Sequence, residues 1–415
     1  MQLLLRNIKQ LVTVNSGGNP FKAGKAMGNV GIIENASVFV EDGIIQWVGP
    51  ADGFRIPLNR DADILDASSF VALPGFVDAH THALFAGSRE NEFAMRSEGR
   101  TYQEIAAQGG GILSTVGATR AASKKELKKW TSKRLDAMME HGTTTVEIKS
   151  GYGLDPDAEI KMLEALKELG DEHFMTVVPT FLGAHAVPPE HKENRAAYVE
   201  LICEHMLPYV AKKNLARFCD AFCESGYFTV DESRKILERA RLLGLLLKLH
   251  SDEFTAIGGT ELAAELGATS VDHLEHITDD GINALRNRET IAVVLPGVSF
   301  FLRNPYAPAR GLIDADIPVA IASDFNPGSC MSFSMPLMMT IACTQMSLTP
   351  EEAICATTLN GAAAVGLSSF IGSIEVGKQA DIILYEIPNY RYLAYHFGAN
   401  FVSKVIKKGT ILEFT

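Results

Sequence analysis

The chain has 415 residues, 47% of them hydrophobic and 21% charged, with a net charge of −12. That length can bury a large core and fits one large domain with a smaller one. The acidic balance argues against a nucleic-acid partner, no run is apolar over the roughly 18 residues of a membrane helix, and Met1-Gln-Leu-Leu-Leu-Arg-Asn-Ile lacks the features of a secretory signal, so a cytoplasmic enzyme without membrane association is expected.

The first sixty-odd residues read as strands and turns, with a hairpin from Ser37 to Gly49 around Asp42-Gly43. From about Val71 to Gly366, short β-rich runs alternate with amphipathic helical stretches such as Ser123 to His141, Asp157 to Leu169 and Val230 to Leu243. The tail from Gly372 to Tyr385 returns to strand and turn. Strand candidates end near His82, Glu147, Phe181, Cys223, His250, His273, Leu295 and Asp324. Strands of that number, each followed by a helix, predict an α/β protein built on a (β/α)₈ TIM-like barrel. A doubly wound open sheet is the alternative, but it leaves the two terminal β segments unexplained. The expected division is a barrel domain over 71–366 and a small β-sandwich domain composed of 1–70 plus 367–415.

The six cysteines, Cys203, Cys219, Cys223, Cys330, Cys343 and Cys355, are scattered, mostly in apolar surroundings. Cys219 and Cys223 have no matching second pair, so they read as small core residues and not as a zinc knuckle.

The run Pro74-Gly-Phe-Val-Asp-Ala-His-Thr-His82 carries the strongest chemical signal. On a strand, residues i and i+2 share a face, so His80 and His82 present both imidazoles to one point. A lone His-x-His is weak evidence, and His250 after its apolar run is by itself an ordinary buried histidine. The other predicted strand ends, however, carry Lys149-Ser-Gly-Tyr152, Gly183-Ala-His185, Glu224, His250-Ser-Asp-Glu253, His273 and Asp324-Phe-Asn326-Pro-Gly328. In a barrel these gather on the C-terminal rim, where active sites lie. Neutral imidazoles with one carboxylate, the set His80, His82, His250 and Asp324, suit a zinc or iron ion, whereas calcium or magnesium would take mostly oxygen ligands. Such an ion would bring the pKa of a bound water near neutrality.

Pro-Gly-Phe-Val-Asp-Ala-His-Thr-His, Leu-His250, Asp-His273, Ala-Ser-Asp324 and the tail Gly-Ser-Ile-Glu-Val-Gly-Lys-Gln-Ala-Asp381 together resemble the metal-dependent amidohydrolase superfamily, nearly from end to end. More narrowly, Glu147-Ile-Lys-Ser-Gly-Tyr-Gly, Thr180-Phe-Leu-Gly-Ala-His, His250-Ser-Asp-Glu-Phe and Ser323-Asp-Phe-Asn-Pro-Gly resemble its imidazolonepropionase family. The resemblance implies hydrolysis of the cyclic amide of 4-imidazolone-5-propanoate, a small anionic substrate, to N-formimidoyl-L-glutamate in histidine degradation. Two-metal members of the superfamily carry a carbamylated lysine at the end of the fourth strand. That position here reads Asp220-Ala-Phe-Cys-Glu224, and Lys149 reads as part of the second strand's loop, so one divalent metal ion, zinc or iron, is expected per chain.

The same resemblance implies roles for the remaining residues. Arg89 offers a bidentate fork to the propanoate. Tyr152 and His185 add hydrogen bonds to the carboxylate and the ring oxygen. Glu253 accepts from the ring N–H, and Asn326, Gly328 and Ser329 take the product's α-carboxylate. Asp324 would take the water's proton, with His273 positioning the water, polarising the carbonyl, or serving as a distant fifth ligand or general base; alternatively Glu253 shuttles a proton to the leaving nitrogen, and which acid or base moves which proton stays open. The readings that compete are deamination of an aminoimidazole or purine, which uses the same metal chemistry, and a non-catalytic interaction protein, which the intact ligand set disfavours. A homodimer is left open.

Overall fold

A computed structural model describes residues 1–100, 104 and 110–413. Strands β1 (Gln2–Val12), β2 (Ile32–Glu41), β3 (Ile44–Pro50), β4 (Asp63–Asp66) and β5 (Val71–Pro74) open the chain. Eight strands follow, each separated from the next by one or more helices: β6 (Phe76–Asp78), β7 (Thr143–Lys149), β8 (Thr176–Ala184), β9 (Phe218–Cys223), β10 (Leu246–Ser251), β11 (Ser270–His273), β12 (Ile291–Val294) and β13 (Val319–Ile321). The chain closes with β14 (Ile382–Tyr385), β15 (Val402–Lys407) and β16 (Thr410–Leu412).

The two ends of the chain build one sheet in the order β16-β15-β14-β5-β1-β2-β3, with β4 beside β1. Its β2–β3 hairpin turns at Asp42 (φ 50°) and Gly43 (φ 81°), the paired left-handed residues that a two-residue turn between twisted strands demands. The sheet curls until β3 meets the segment before β14, with Ile45 N–H donating to Lys378 O at 2.9 Å and Ala380 N–H to Gly43 O at 2.8 Å. Leu5, Ile8, Val38, Ile382 and Ile406 fill its concave face as a core of its own. Although β5 opens the segment assigned above to the barrel, it pairs with β1 and β14 in this terminal sheet. The chain crosses to the barrel at Gly75, where a Cβ would collide with the Thr144 side chain.

The middle strands pair in parallel from β6 to β13 in chain order. Every residue of β6, β7, β9, β11, β12 and β13 is buried, the near-continuous apolar or internally matched run expected of strands covered on both faces. The circle is completed beyond the strand ends, where Thr81 bridges Phe325 in parallel, Asp324 N–H donates to His80 O at 3.0 Å and His82 N–H to Phe325 O at 3.0 Å. Beneath them Ser323 Oγ donates to Asp78 Oδ2 at 2.5 Å, and its N–H to Asp78 Oδ1 at 2.9 Å. These bonds place the first and last strand ends side by side.

The helices start where local chemistry starts them. Ser123 and Glu126 form a capping box on the helix Lys124–Glu140, Thr229 and Glu232 repeat it on Val230–Leu242, and Asp155 caps Pro156–Glu172 with proline in its first turn. Each such cap is worth about 0.5–2 kcal/mol. Among the described residues, no helix is long and apolar enough to cross a membrane.

One local expectation is corrected. Lys149 is the last residue of β7 and not a loop residue: its N–H donates to Thr81 O at 2.9 Å, and its fully buried ammonium lies between the carboxylates of Glu147 on its own strand and Asp220 on β9.

Candidate active site

His80, His82 and His250 converge at the C-terminal mouth of the barrel, with one ring nitrogen of each within 4.8 Å of the others. Asp324 Oδ1 lies 3.5 Å from both His80 Nε2 and His82 Nε2. His80, His273 and Asp324 also bring a ligand atom each within 4.8 Å of the others, so His273 borders the cluster. Among the described residues, His80 Nε2, His250 Nε2 and Asp324 Oδ1 are buried without a hydrogen-bond partner. Buried polar atoms are ordinarily paired, and a convergent set of lone pairs left over is what a cation requires. Burial also pushes the pKa values of His80, His82 and His250 down, which keeps the imidazoles neutral and their lone pairs available. The donor set therefore fits a divalent metal ion.

The far nitrogens of two of these rings are held from below. His80 Nδ1 is 2.7 Å from Asp272 Oδ2, and His250 Nδ1 is 2.9 Å from Asp220 Oδ2. Both carboxylates belong to a closed charge cluster on the barrel floor. Lys149 Nζ sits 2.8 Å from Asp220 Oδ2, 2.8 Å from Glu147 Oε1 and 3.7 Å from Asp272 Oδ2. Lys248 Nζ lies 3.7 Å from Asp272 Oδ2 and donates to Ser270 Oγ at 2.7 Å, and Ser270 in turn donates to Asp272 Oδ1 at 2.6 Å. Burial works against the Lys149 ammonium, but Asp220, Glu147 and Asp272 together raise its pKa. Burial works against the Asp220 carboxylate too, and His250 and Lys149 hold its pKa below the ordinary range. Sequence reasoning missed Asp220, Asp272 and Lys248. The available signal was a charged residue at an inward position of a buried strand, two before a site histidine in Lys248-Leu-His250 and one before in Asp272-His273.

Above the cluster, His273 Nε2 is 3.6 Å from Glu253 Oε2. Burial raises the Glu253 carboxyl to about 8, against the pull of His273 and with Glu275 and Asp324 adding to it. Burial would lower His273, but Glu253 and Glu275 outweigh it and carry the ring to about 10. Burial likewise lifts Asp324 to about 7, opposed by His273. A divalent cation at the same point would favour its ionised form again. His273 (φ 86°) and Asp324 (φ 49°) both hold left-handed backbone, a conformation that costs about 1–3 kcal/mol and concentrates at functional sites.

A cavity of about 360 Å³ opens over these groups, within the roughly 300–1,000 Å³ of small-molecule pockets. Arg89, Tyr152, His185, Asn326, Gly328 and Ser329 all line it. Their geometry refines what each can offer. Arg89 is already bidentate on Glu92, Nε to Oε1 at 2.9 Å and Nη2 to Oε2 at 2.7 Å, while its Nη1 crosses so close over Gly328 that a Cβ there would collide with it. His185 Nδ1 lies 2.9 Å from Gly151 O, which makes Nδ1 the donor and leaves Nε2 an acceptor; burial lowers its pKa to about 3. Asn326 Oδ1 accepts from Gly328 N–H at 2.7 Å and Ser329 N–H at 2.8 Å, and its Nδ2 donates to Asp324 O at 2.7 Å. Arg96, which sequence reasoning passed over, also reaches the wall and donates to Gly328 O at 3.0 Å.

A model of the amidohydrolase family matches residues 71–412. The chain is 47% identical over 411 residues to the imidazolonepropionase of Clostridium tetani, covering 99% of this chain and 98% of the relative. To that of Symbiobacterium thermophilum it is 48% identical over 416 residues, covering 99% and 97%. Among solved structures, an adenosine deaminase from Xanthomonas campestris with bound zinc superposes with a TM-score of 0.73 at 18% identity, over 99% of this chain and 92% of that one. A triazine hydrolase variant reaches 0.76 at 16% identity, over 99% and 94%; likeness at such identities speaks for the fold alone. With a family match across the barrel and relatives nearly half identical from end to end, the chain belongs to the amidohydrolase family and, within it, to the imidazolonepropionases.

Proposed function

We infer that the chain hydrolyses the cyclic amide C–N bond of 4-imidazolone-5-propanoate to give N-formimidoyl-L-glutamate, a ring opening in histidine degradation. The observation that carries this reading is the meeting, in one cavity, of a three-imidazole, one-carboxylate cluster, the Glu253–His273 pair and the guanidinium of Arg89. Identity of 46–48% to imidazolonepropionases over nearly the whole chain supports the choice of substrate.

His80, His82, His250 and Asp324 would hold one divalent cation, zinc or iron. When bound, that ion supplies an acidified water and polarises a carbonyl. Asp324, whose ionised form a bound cation would favour, accepts a proton from the attacking water. The Nε2 of His273 donates to the carbonyl oxygen as negative charge gathers on it. As the water oxygen bonds to the carbonyl carbon and the ring C–N bond breaks, Glu253 delivers a proton to the departing nitrogen. Its carboxyl stays protonated up to about pH 8 and suits that task.

Arg89 takes the propanoate through Nη1, with Glu92 holding the rest of its fork in place. Tyr152 donates its hydroxyl to the same carboxylate. His185, an acceptor at Nε2, pairs with a ring N–H and not with the carboxylate or ring oxygen expected from the sequence. For Asn326, Gly328 and Ser329 to receive the new α-carboxylate, the Asn326 carbonyl must first release both backbone amides.

With this activity we also propose a cytoplasmic location, a barrel unit running to residue 366 beside a terminal β unit made of the N-terminal segment through β5 and residues 367–415, and no nucleic-acid or membrane partner. The net charge of −12 supports the exclusion of nucleic acid. Incubation with 4-imidazolone-5-propanoate, following formimidoylglutamate and ammonia separately, tests the reaction. Stoichiometric formimidoylglutamate without ammonia supports the ring opening; ammonia release would replace it with a deamination.

A further inference from the structure

We propose that Glu275 is a positioning residue that fixes the ring of His273, so that Nε2 is the nitrogen facing Glu253 and the cavity. The proposal rests on the hydrolytic reading above for what His273 then does. Glu275 stands two residues beyond His273, its side chain only 1% exposed. Among the described residues, neither of its carboxylate oxygens has a hydrogen-bond partner. A carboxylate buried in this way is unfavourable unless a donor serves it, and among the described residues the Lys, Arg or His nitrogen within 4.0 Å is His273 Nδ1, 3.6 Å from Oε2.

The backbone delivers Glu275 to that position deliberately. His273 and Leu274 take left-handed angles of 86° and 73°, uncommon for residues other than glycine, and the turn they make leaves Glu275 facing the Nδ1 edge of the imidazole. Two bonds to the neighbouring strand end pin the turn: Leu274 N–H donates to Ser251 O at 3.1 Å and His276 N–H to Asp252 O at 2.8 Å. The ring thus lies between two carboxylates, Glu253 at 3.6 Å from Nε2 and Glu275 at 3.6 Å from Nδ1. An imidazole turned by 180° would replace its nitrogens with carbons on both sides, so the pair selects one orientation. At 3.6 Å neither contact is yet a hydrogen bond, and catalytic contacts of this kind tighten when substrate is bound.

The test compares Glu275→Leu, Glu275→Gln and Glu275→Asp for metal content, thermal unfolding, KM and kcat. Histidine-labelled protein also gives ¹⁵N NMR signals for His273, assigned with His273→Gln. Glu275→Leu is expected to lower kcat by roughly 10- to 100-fold, the scale for removing a partner that orients a functional histidine. KM and metal content should stay near wild type, Glu275→Asp should recover part of kcat, and the His273 Nδ1 signal should move in Glu275→Leu and Glu275→Gln. Unchanged kcat, an unmoved Nδ1 signal, or loss of metal or folding that accounts for the whole effect in all three variants would overturn the role. If the wild type fails to turn over imidazolone propanoate, the reaction assigned above falls, and the His273 signal still decides the place of Glu275.

Discussion

His80 Nδ1 lies 2.7 Å from Asp272 Oδ2, across 192 residues of sequence and the width of the barrel. That contact makes Nδ1 the protonated nitrogen of His80 and aims the Nε2 lone pair at the cluster; Asp220 Oδ2 stands 2.9 Å from the corresponding nitrogen of His250. Replacing Asp272 by Asn keeps the shape and removes the charge that makes the imidazole a better donor. Competitive chelator titration of Asp272→Asn should show metal affinity lower by about 10- to 100-fold, with the unfolding transition retained. An affinity equal to wild type would leave the contact without influence on the metal.

Both candidate ligand groups share His80, and β9, where a bridging lysine would stand, reads Phe-Cys-Asp-Ala-Phe-Cys. One equivalent of metal per chain is therefore expected by elemental analysis, and His250→Ala should lose metal and activity together. Two tightly bound equivalents in the wild type, or full occupancy in the variant, would defeat the single-site assignment.

Much of this site was legible because its signals are local. His80 and His82 are two residues apart, Glu253 is three past His250, and the Ser123, Asp155 and Thr229 caps announce their helices within one turn. The strand-to-helix alternation located the eight barrel strands to within a few residues of their ends. What could not be read depends on which strands become neighbours. Asp272 supports His80 from five strands away, and Lys149 is matched by Asp220 only after β7 and β9 face into one interior. A lone sequence shows Glu147 two residues before Lys149, but not that Asp220 and Asp272 join it from other strands. The same limit applies to Arg89, whose fork the sequence offers to a ligand and the fold gives first to Glu92.

That pairing sets up the test of Arg89. If Nη1 holds the propanoate, Arg89→Met should weaken apparent substrate binding by about 1.5–3 kcal/mol, the range for a hydrogen bond to a charged group, and leave metal content unchanged. Glu92→Gln should give a smaller rise in KM, because the guanidinium survives but loses the carboxylate that fixes its direction. Kinetic constants unchanged in both variants would reduce the pair to a structural brace between the start of the helix Glu90–Ser97 and the Gly328 loop.

Glu253 offers the sharpest measurement, because its role depends on a proton. Burial holds its carboxyl at about 8, so the acid form predominates below that pH and disappears as pH rises through it. A group that donates to the leaving nitrogen must start protonated, so kcat should hold on the acid side and fall above about pH 8. Glu253→Gln keeps the shape and a hydrogen-bonding head but has no proton to transfer. It should bind metal normally, lose about 10²- to 10⁴-fold in kcat, and no longer show the alkaline fall that belongs to this carboxyl. If the variant keeps near wild-type kcat across the range, Glu253 only binds the ring, and proton delivery passes to His273 with Asp324 as its acceptor.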